Sequence, residues 1–134
     1  MLEIPTVGSK MTEYPYSVSL DETLRVAQDM MQEYKIRHLP VLDKGKPVSV
    51  LSDRDVKQAF IAFNQGDIDQ VLVKDAATLS TYIVDIKEPL DSVAMHMADN
   101  HIGSALVTDG GRLAGIFTTT DACRCLAEAL RGQS

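Results

Sequence analysis

The sequence predicts an α+β fold: two copies of one helix–strand–strand–helix unit, packed sheet to sheet with approximate two-fold symmetry. Three observations predict it. First, the chain aligns with itself at an offset of 66 residues without gaps, 7–60 against 73–126. Twelve of the 54 pairs are identical, among them Val7/Val73, Thr12/Thr78, Tyr16/Tyr82, Leu24/Leu90, Met31/Met97, Ile36/Ile102, Val41/Val107, Gly45/Gly111 and Asp55/Asp121. Ordinary composition gives about three or four by chance. Second, each copy passes from helical apolar spacing to short apolar runs around a turn, then back to helical spacing. Third, one copy of about 60 residues is marginal alone, and two copies bury the apolar sheet face that each would expose.

Residues 1–6 read as an irregular leader. In the first copy, Leu24, Ala27, Met31 and Tyr34 recur at helical spacing and predict a helix over 21–34, which Asp21 can cap. In the second copy, Leu90, Val93, Ala94 and Met97 predict one over 89–100, with Pro89 in the first turn, where its missing N–H costs nothing.

Strands follow at 38–42 and 47–51 around Asp43-Lys44-Gly45-Lys46, and at 104–108 and 113–117 around Asp109-Gly110-Gly111-Arg112. These are hairpin turns, which require positive φ. Pro40 has no N–H to donate, which predicts that its strand is an edge or begins there.

A second helix closes each copy. Ser52 or Asp53 can cap one that reaches about Phe63, with Ala59, Phe60 and Phe63 as its apolar stripe. Thr118 or Thr119 can cap one that reaches about Leu130, with Ala122, Cys125, Leu126, Ala129 and Leu130 as its stripe. The expected organisation is a first repeat at 7–63, a polar linker at 64–70 and a second repeat at 71–130, forming one module. The tail 131–134 is expected to fray.

The net charge of −6 argues against a nucleic-acid partner, because an acidic surface repels phosphate backbones. Apolar runs are a few residues long, far short of a membrane span. Met1-Leu2-Glu3-Ile4-Pro5 lacks the basic and apolar regions of a signal peptide, so a cytoplasmic location is expected. Cys123 and Cys125, two apart on a helix, point about 200° apart and are poorly placed to share a metal or a disulfide. One half-buried and one outward thiol in a reducing compartment is the expectation. No Cys or carboxylate pattern joins His96 and His101 into a metal site. Met11, Met30, Met31, Met95 and Met97 suit core and interface packing.

The two most chemically suggestive stretches are Gly115-Ile116-Phe117-Thr118-Thr119-Thr120-Asp121 and its counterpart Ser49-Val50-Leu51-Ser52-Asp53-Arg54-Asp55. Each places a hydroxyl and a carboxylate at the start of a helix. A carboxylate accepts two hydrogen bonds, which fits a vicinal diol, and a helix N-terminus suits an anion. Asp55 and Asp121 equally suit a structural role beside the helix dipole, and Ser52 and Thr118 are cap residues on either reading. There is no Ser/His/Asp order, P-loop or G-x-G-x-x-G. Asp55 and Asp121 belong to separate copies, so no acid/base pair, and no enzyme, is expected.

The first copy carries Lys10-Met11-Thr12, Leu24-x-x-Ala27-x-x-x-Met31, Ile36-x-x-Leu39-Pro40-Val41-Leu42-Asp43 and Ser52-Asp53-Arg54-Asp55. The second carries Leu90-x-x-Val93-x-x-x-Met97, Ile102-Gly103-Ser104-Ala105-Leu106-Val107-x-Asp109 and the Gly115–Asp121 stretch. In register and written twice, from residue 7 to about 128, these motifs resemble a tandem pair of CBS domains (the cystathionine β-synthase domain pair, or Bateman module). Ser49 stands where that family favours Gly.

The resemblance implies two β-α-β-β-α repeats in a free-standing, bacterial-type regulatory protein. It would bind an adenosine-containing ligand (AMP, ADP, ATP or S-adenosylmethionine) in clefts between the repeats, with no obligatory cofactor. By motif, one cleft would use Ser52, Arg54 and Asp55 with Val50. The other would use Thr118, Thr120 and Asp121 with Ile116. The aspartates would hold ribose, and the hydroxyls and helix N-termini would hold phosphate. Arg37 and His38 occupy positions where relatives often contact phosphate, and Ile36, Ile102 and Gly103 complete the candidate set. Occupancy would be signalled by conformational change to an unidentified regulated protein, with a homodimer as the expected assembly. The alternative implication is a ligand-independent dimerisation or protein-interaction module with vestigial clefts.

Overall fold

A computed structural model describes residues 3–13, 16–63, 69–77 and 81–132. Most of the expected linker (64–68), Thr78 of the Thr12/Thr78 pair, and both extreme ends lie outside the described residues.

The elements run α1 (Val7–Lys10), β1 (Thr12–Glu13), β2 (Val18–Ser19), α2 (Leu24–Tyr34), β3 (His38–Asp43), β4 (Lys46–Ser52) and α3 (Asp53–Ala62) in the first copy. Then come α4 (Val73–Ala76), β5 (Ile83–Asp85), α5 (Leu90–Asp99), β6 (Ser104–Asp109), β7 (Arg112–Thr118) and α6 (Thr119–Leu130). Two caps differ from expectation. Thr23, not Asp21, caps α2 by accepting from the Val26 N–H. Pro89 is the N-cap of α5 rather than its first helical residue.

Both hairpins turn on two residues with positive φ, Lys44-Gly45 (51° and 84°) and Gly110-Gly111 (61° and 84°). That pattern marks the turn type whose twist matches the flanking strands. Lys35 and His101, also 66 residues apart, are both left-handed where α2 and α5 end.

One sheet has the order β1-β7-β6-β5 and the other β2-β3-β4. β3 is therefore central, which corrects the edge placement expected from Pro40. Its parallel neighbour β2 pairs only at Val41 and Leu42. In the second copy, β5 pairs one residue further back, at Leu106, the counterpart of Pro40.

The compact units do not coincide with the sequence repeats. One unit comprises 1–15 with 82–134, and the other comprises 16–81. The short helices and β1 account for the difference. The Val7 and Gly8 amides of α1 donate to the carbonyls of Glu88 and Ile86, at 2.8 and 3.0 Å. The Val73 and Lys74 amides of α4 donate in the same way to Glu22 and Leu20, at 2.8 and 3.0 Å. β1 pairs antiparallel with β7, Glu13 opposite Gly115. A Cβ on Gly115 would lie 2.5 Å from the Thr12 carbonyl oxygen, so this approach needs glycine.

Val7, Val84, Val93, Met97, Ala105, Val107 and Phe117 form the core of the unit containing residues 82–134. In the other unit, Val18, Leu24, Ala27, Leu39, Val41, Leu51 and Val56 are buried. The closing helices are less buried than their stripes predict. Phe63, Leu126 and Leu130 are exposed, the last by 79%, while Val56 and Ala59 hold α3 to its unit. Met95, expected among packing methionines, is also exposed. Among the described residues no helix is long and apolar enough to cross a membrane.

Candidate functional site

Within residues 16–81, the hairpin and α3 bring the first copy's candidate residues to one end of the sheet. His38 opens β3 opposite Ser52, which ends β4. Ser52 then caps α3. Its Oγ accepts from the Asp55 N–H at 3.0 Å, and its own N–H donates to Asp55 Oδ2 at 2.8 Å. This reciprocal box fixes the carboxyl group beside the first turn of the helix. Among the described residues, no hydrogen bond is made to Asp55 Oδ1.

The Asp53 N–H donates to the Arg37 carbonyl at 2.8 Å. The Asp55 N–H is taken by Ser52, so among the described residues the Arg54 amide is the open donor of the first turn. Val50, on β4, is buried. Burial pushes the His38 imidazole below the ordinary histidine range. The Asp55 carboxylate pulls it partly back up, and Arg37 opposes that.

Ile36 and Arg37 face elsewhere. They line a recess of about 390 Å³ between α2 and α3, together with Lys35, Asp53 and Lys57. Lys57 pairs with Asp53 at 3.0 Å across one helical turn. The structure thus joins His38, Ser52 and Asp55 in one cluster and places Ile36 and Arg37 on a neighbouring concave surface.

The second copy repeats the frame within its own unit. Ser104 opposes Thr118, and the Thr119 N–H donates to the Gly103 carbonyl at 3.1 Å. Thr118 and Asp121 form the same box, with the Thr118 N–H 2.9 Å from Asp121 Oδ2. Ile116 is buried, Ile102 packs against the core, and Gly103 and Thr120 are exposed.

Two partners of Asp121 fall outside the sequence-derived set. The Thr12 hydroxyl donates to Asp121 Oδ1 at 3.0 Å, and the Arg124 guanidinium to the same oxygen at 3.0 Å. Arg124 follows Asp121 by three residues, a spacing that brings helix side chains together and was the available signal. Thr12 carried a signal only as part of Lys10-Met11-Thr12.

Of the other chemically suggestive residues, His96 stacks on Tyr82 with ring centroids 4.1 Å apart. In the other unit Tyr16, the counterpart of Tyr82, stacks on Tyr34 at 3.8 Å. Cys123 is exposed, and Cys125 is half-buried with its thiol pushed up by burial. No group of His, Cys, Asp or Glu among the described residues is arranged to hold a metal ion.

The CBS domain profile matches residues 6–62 and again 73–128. Inosine-5′-monophosphate dehydrogenase from Nitrosopumilus maritimus is 30% identical over 122 residues, which are 90% of this chain but only 24% of that protein. The solved structure of CBSX2 in complex with AMP superposes with a TM-score of 0.76 at 26% identity, covering 92% of this chain and 97% of that one. The CBS domain pair of protein MJ0100, in complex with 5′-methylthioadenosine and S-adenosyl-L-methionine, superposes with a TM-score of 0.82 at 24% identity. It covers 95% of this chain and 99% of that one, and shares the fold. With two matched segments spanning nearly all of its length, a mixed α+β architecture common to these structures and the hydroxyl–carboxylate box in both copies, the chain belongs to the CBS domain family.

Proposed function

We propose that this CBS pair is a regulatory module that binds an adenosine-containing ligand and signals its occupancy. One observation carries the reading. Asp55 is held by one oxygen in the box with Ser52, while its other oxygen is open to a diol among the described residues. Around it lie the open Arg54 amide, suited to a phosphate oxygen, and His38. The AMP complex of CBSX2 supports an adenine nucleotide as the ligand class. ATP, ADP and S-adenosylmethionine are the other ligands to test.

Occupancy acts by population shift: a ligand favours whichever arrangement of the chain it contacts better. The output is regulation of a partner protein in the cytoplasm rather than catalysis. The test is calorimetric titration of AMP, ATP and S-adenosylmethionine into protein freed of carried-over nucleotide. Absence of both heat and thermal shift with all three ligands overturns the reading.

A second reading, a ligand-independent dimerisation module, is favoured by the apolar side chains that the closing helices leave exposed: Ile61 on α3, and Leu126 and Leu130 on α6. It predicts a homodimer whose mass and stability are indifferent to nucleotide.

A further inference from the structure

The two aspartates of the repeated motif differ in what remains of their hydrogen-bonding capacity. An ionised carboxylate offers about four lone-pair positions. At Asp121, Oδ2 receives the Thr118 N–H at 2.9 Å and the Thr118 hydroxyl at 3.2 Å. Oδ1 receives the Thr12 hydroxyl and the Arg124 guanidinium, each at 3.0 Å. The Asp121 side chain is only 5% exposed, while that of Arg124 is 62% exposed. The carboxylate is therefore filled from within the chain, twice by Thr118 and once each by Thr12 and the Arg124 guanidinium. Asp55, by contrast, accepts only the Ser52 N–H at 2.8 Å among the described residues. The position matching Arg124 is Gln58, which has no positive charge to place there.

Thr12 stands on β1 and Asp121 on α6, so the bond between them ties a strand near the start of the chain to the closing helix of its unit. A ribose diol arriving at Asp121 would have to displace both a charge-assisted bond and this tie, whereas at Asp55 it meets an oxygen that is open among the described residues. We infer that Asp121 is committed to an internal latch with Thr12 and Arg124, and that Asp55 alone serves as ribose acceptor, so each chain takes up one adenosyl ligand. This inference rests on the ribose-binding reading proposed above, but the latch has its own readout.

Calorimetry with AMP on the full chain tests the stoichiometry. The expected result is one AMP per chain, weakened about tenfold or more by Asp55→Asn and changed by no more than about threefold by Asp121→Asn. Arg124→Gln, a change at an exposed side chain that copies Gln58, is expected to open a second, weaker binding event. Two equivalent AMP molecules per wild-type chain, or equal losses from the two aspartate variants, overturn the inference.

Hydrogen exchange tests the latch without ligand. Arg124→Gln is expected to speed exchange at the one β1 amide that bonds to β7 while leaving those of β6 unchanged, and an unchanged rate at that amide overturns it. If the wild type takes up no adenosyl ligand, the binding reading falls and exchange alone decides whether Asp121 is committed.

Discussion

The Leu106 N–H donates to the Tyr82 carbonyl at 2.9 Å, a bond that its counterpart in the first copy, Pro40, has no hydrogen to make. The missing donor accounts for the shorter parallel pairing at the start of β3. It also explains how a proline occupies a central strand: the β2 ladder begins only after it, at Val41. Pro40→Leu is expected to extend β2 by one residue. The new hydrogen bond contributes about 1 kcal/mol, against a similar loss from greater freedom of the unfolded chain. Stability should therefore change little, and a slowly exchanging amide should appear at position 40. A fast-exchanging amide there would refute the account.

Gly115 should tolerate no side chain. A Cβ would lie 2.5 Å from the Thr12 carbonyl oxygen and 2.7 Å from Met11 Sδ. Backbone, unlike the end of a flexible side chain, has little room to move aside. Gly115→Ala is expected to cost about 1–3 kcal/mol, measured by urea denaturation. A cost near zero would mean that β1 does not hold this position in solution.

Among the described residues Phe117 is the largest fully buried side chain, and it packs in the core cluster with Val107 and Met97. Phe117→Ala is expected to lower stability by about 3–5 kcal/mol. The same measurement on Leu130→Ala, at an exposed site, should show a change below about 0.5 kcal/mol.

The repeat and both hairpins were legible in the sequence because their signals are local. Lys44-Gly45 and Gly110-Gly111 declare their turns by residue type alone. The boxes of Ser52 with Asp55 and Thr118 with Asp121 follow from a hydroxyl three residues before an acid at a helix start. What stayed hidden depends on contacts distant in sequence. Nothing near Thr12 announces that its strand pairs with residues 115 and 116. The length of β2 depends on a missing donor in another strand, and Asp121 is filled by a hydroxyl 109 residues away. Asp21 and Thr23 are both good caps, and only the register of α2 chooses between them. The exposure of Leu126 and Leu130 shows the limit of periodicity, which marks an apolar stripe without saying what covers it.

His38 makes stability depend on pH in a definite direction. Burial lowers its pKa in the folded chain below the unfolded value of about 6.5. The unfolded state therefore binds more protons in the window below that value. Stability is fully present above about pH 6.5 and is lost as pH falls toward the folded pKa. Denaturation midpoints measured from pH 7.5 to 5 should fall more steeply for wild type than for His38→Gln. Asp55→Asn should lower the imidazole pKa further, because it removes the charge that favours the imidazolium, and an upward move in an NMR titration would contradict this arrangement.

Leu126→Glu and Leu130→Glu together should leave the folded chain intact, since both side chains are exposed. If α6 is the face on which two copies meet, the pair of charges should halve the mass measured by light scattering. An unchanged dimer mass would place the contact elsewhere.

The exchange of short segments between the two sequence repeats has a consequence for where the chain can be divided. A cut at residues 64–68 separates the two sequence repeats, yet it falls inside the unit formed by 16–81 rather than between units. The upstream fragment keeps α1 and β1, which belong with 82–134. The downstream fragment keeps α4, whose amides bond to Leu20 and Glu22. Each fragment therefore carries a piece that completes the other's fold. Neither should behave as a free-standing half, and the two made as separate polypeptides should recover the structure by complementation, as the halves of a split protein do.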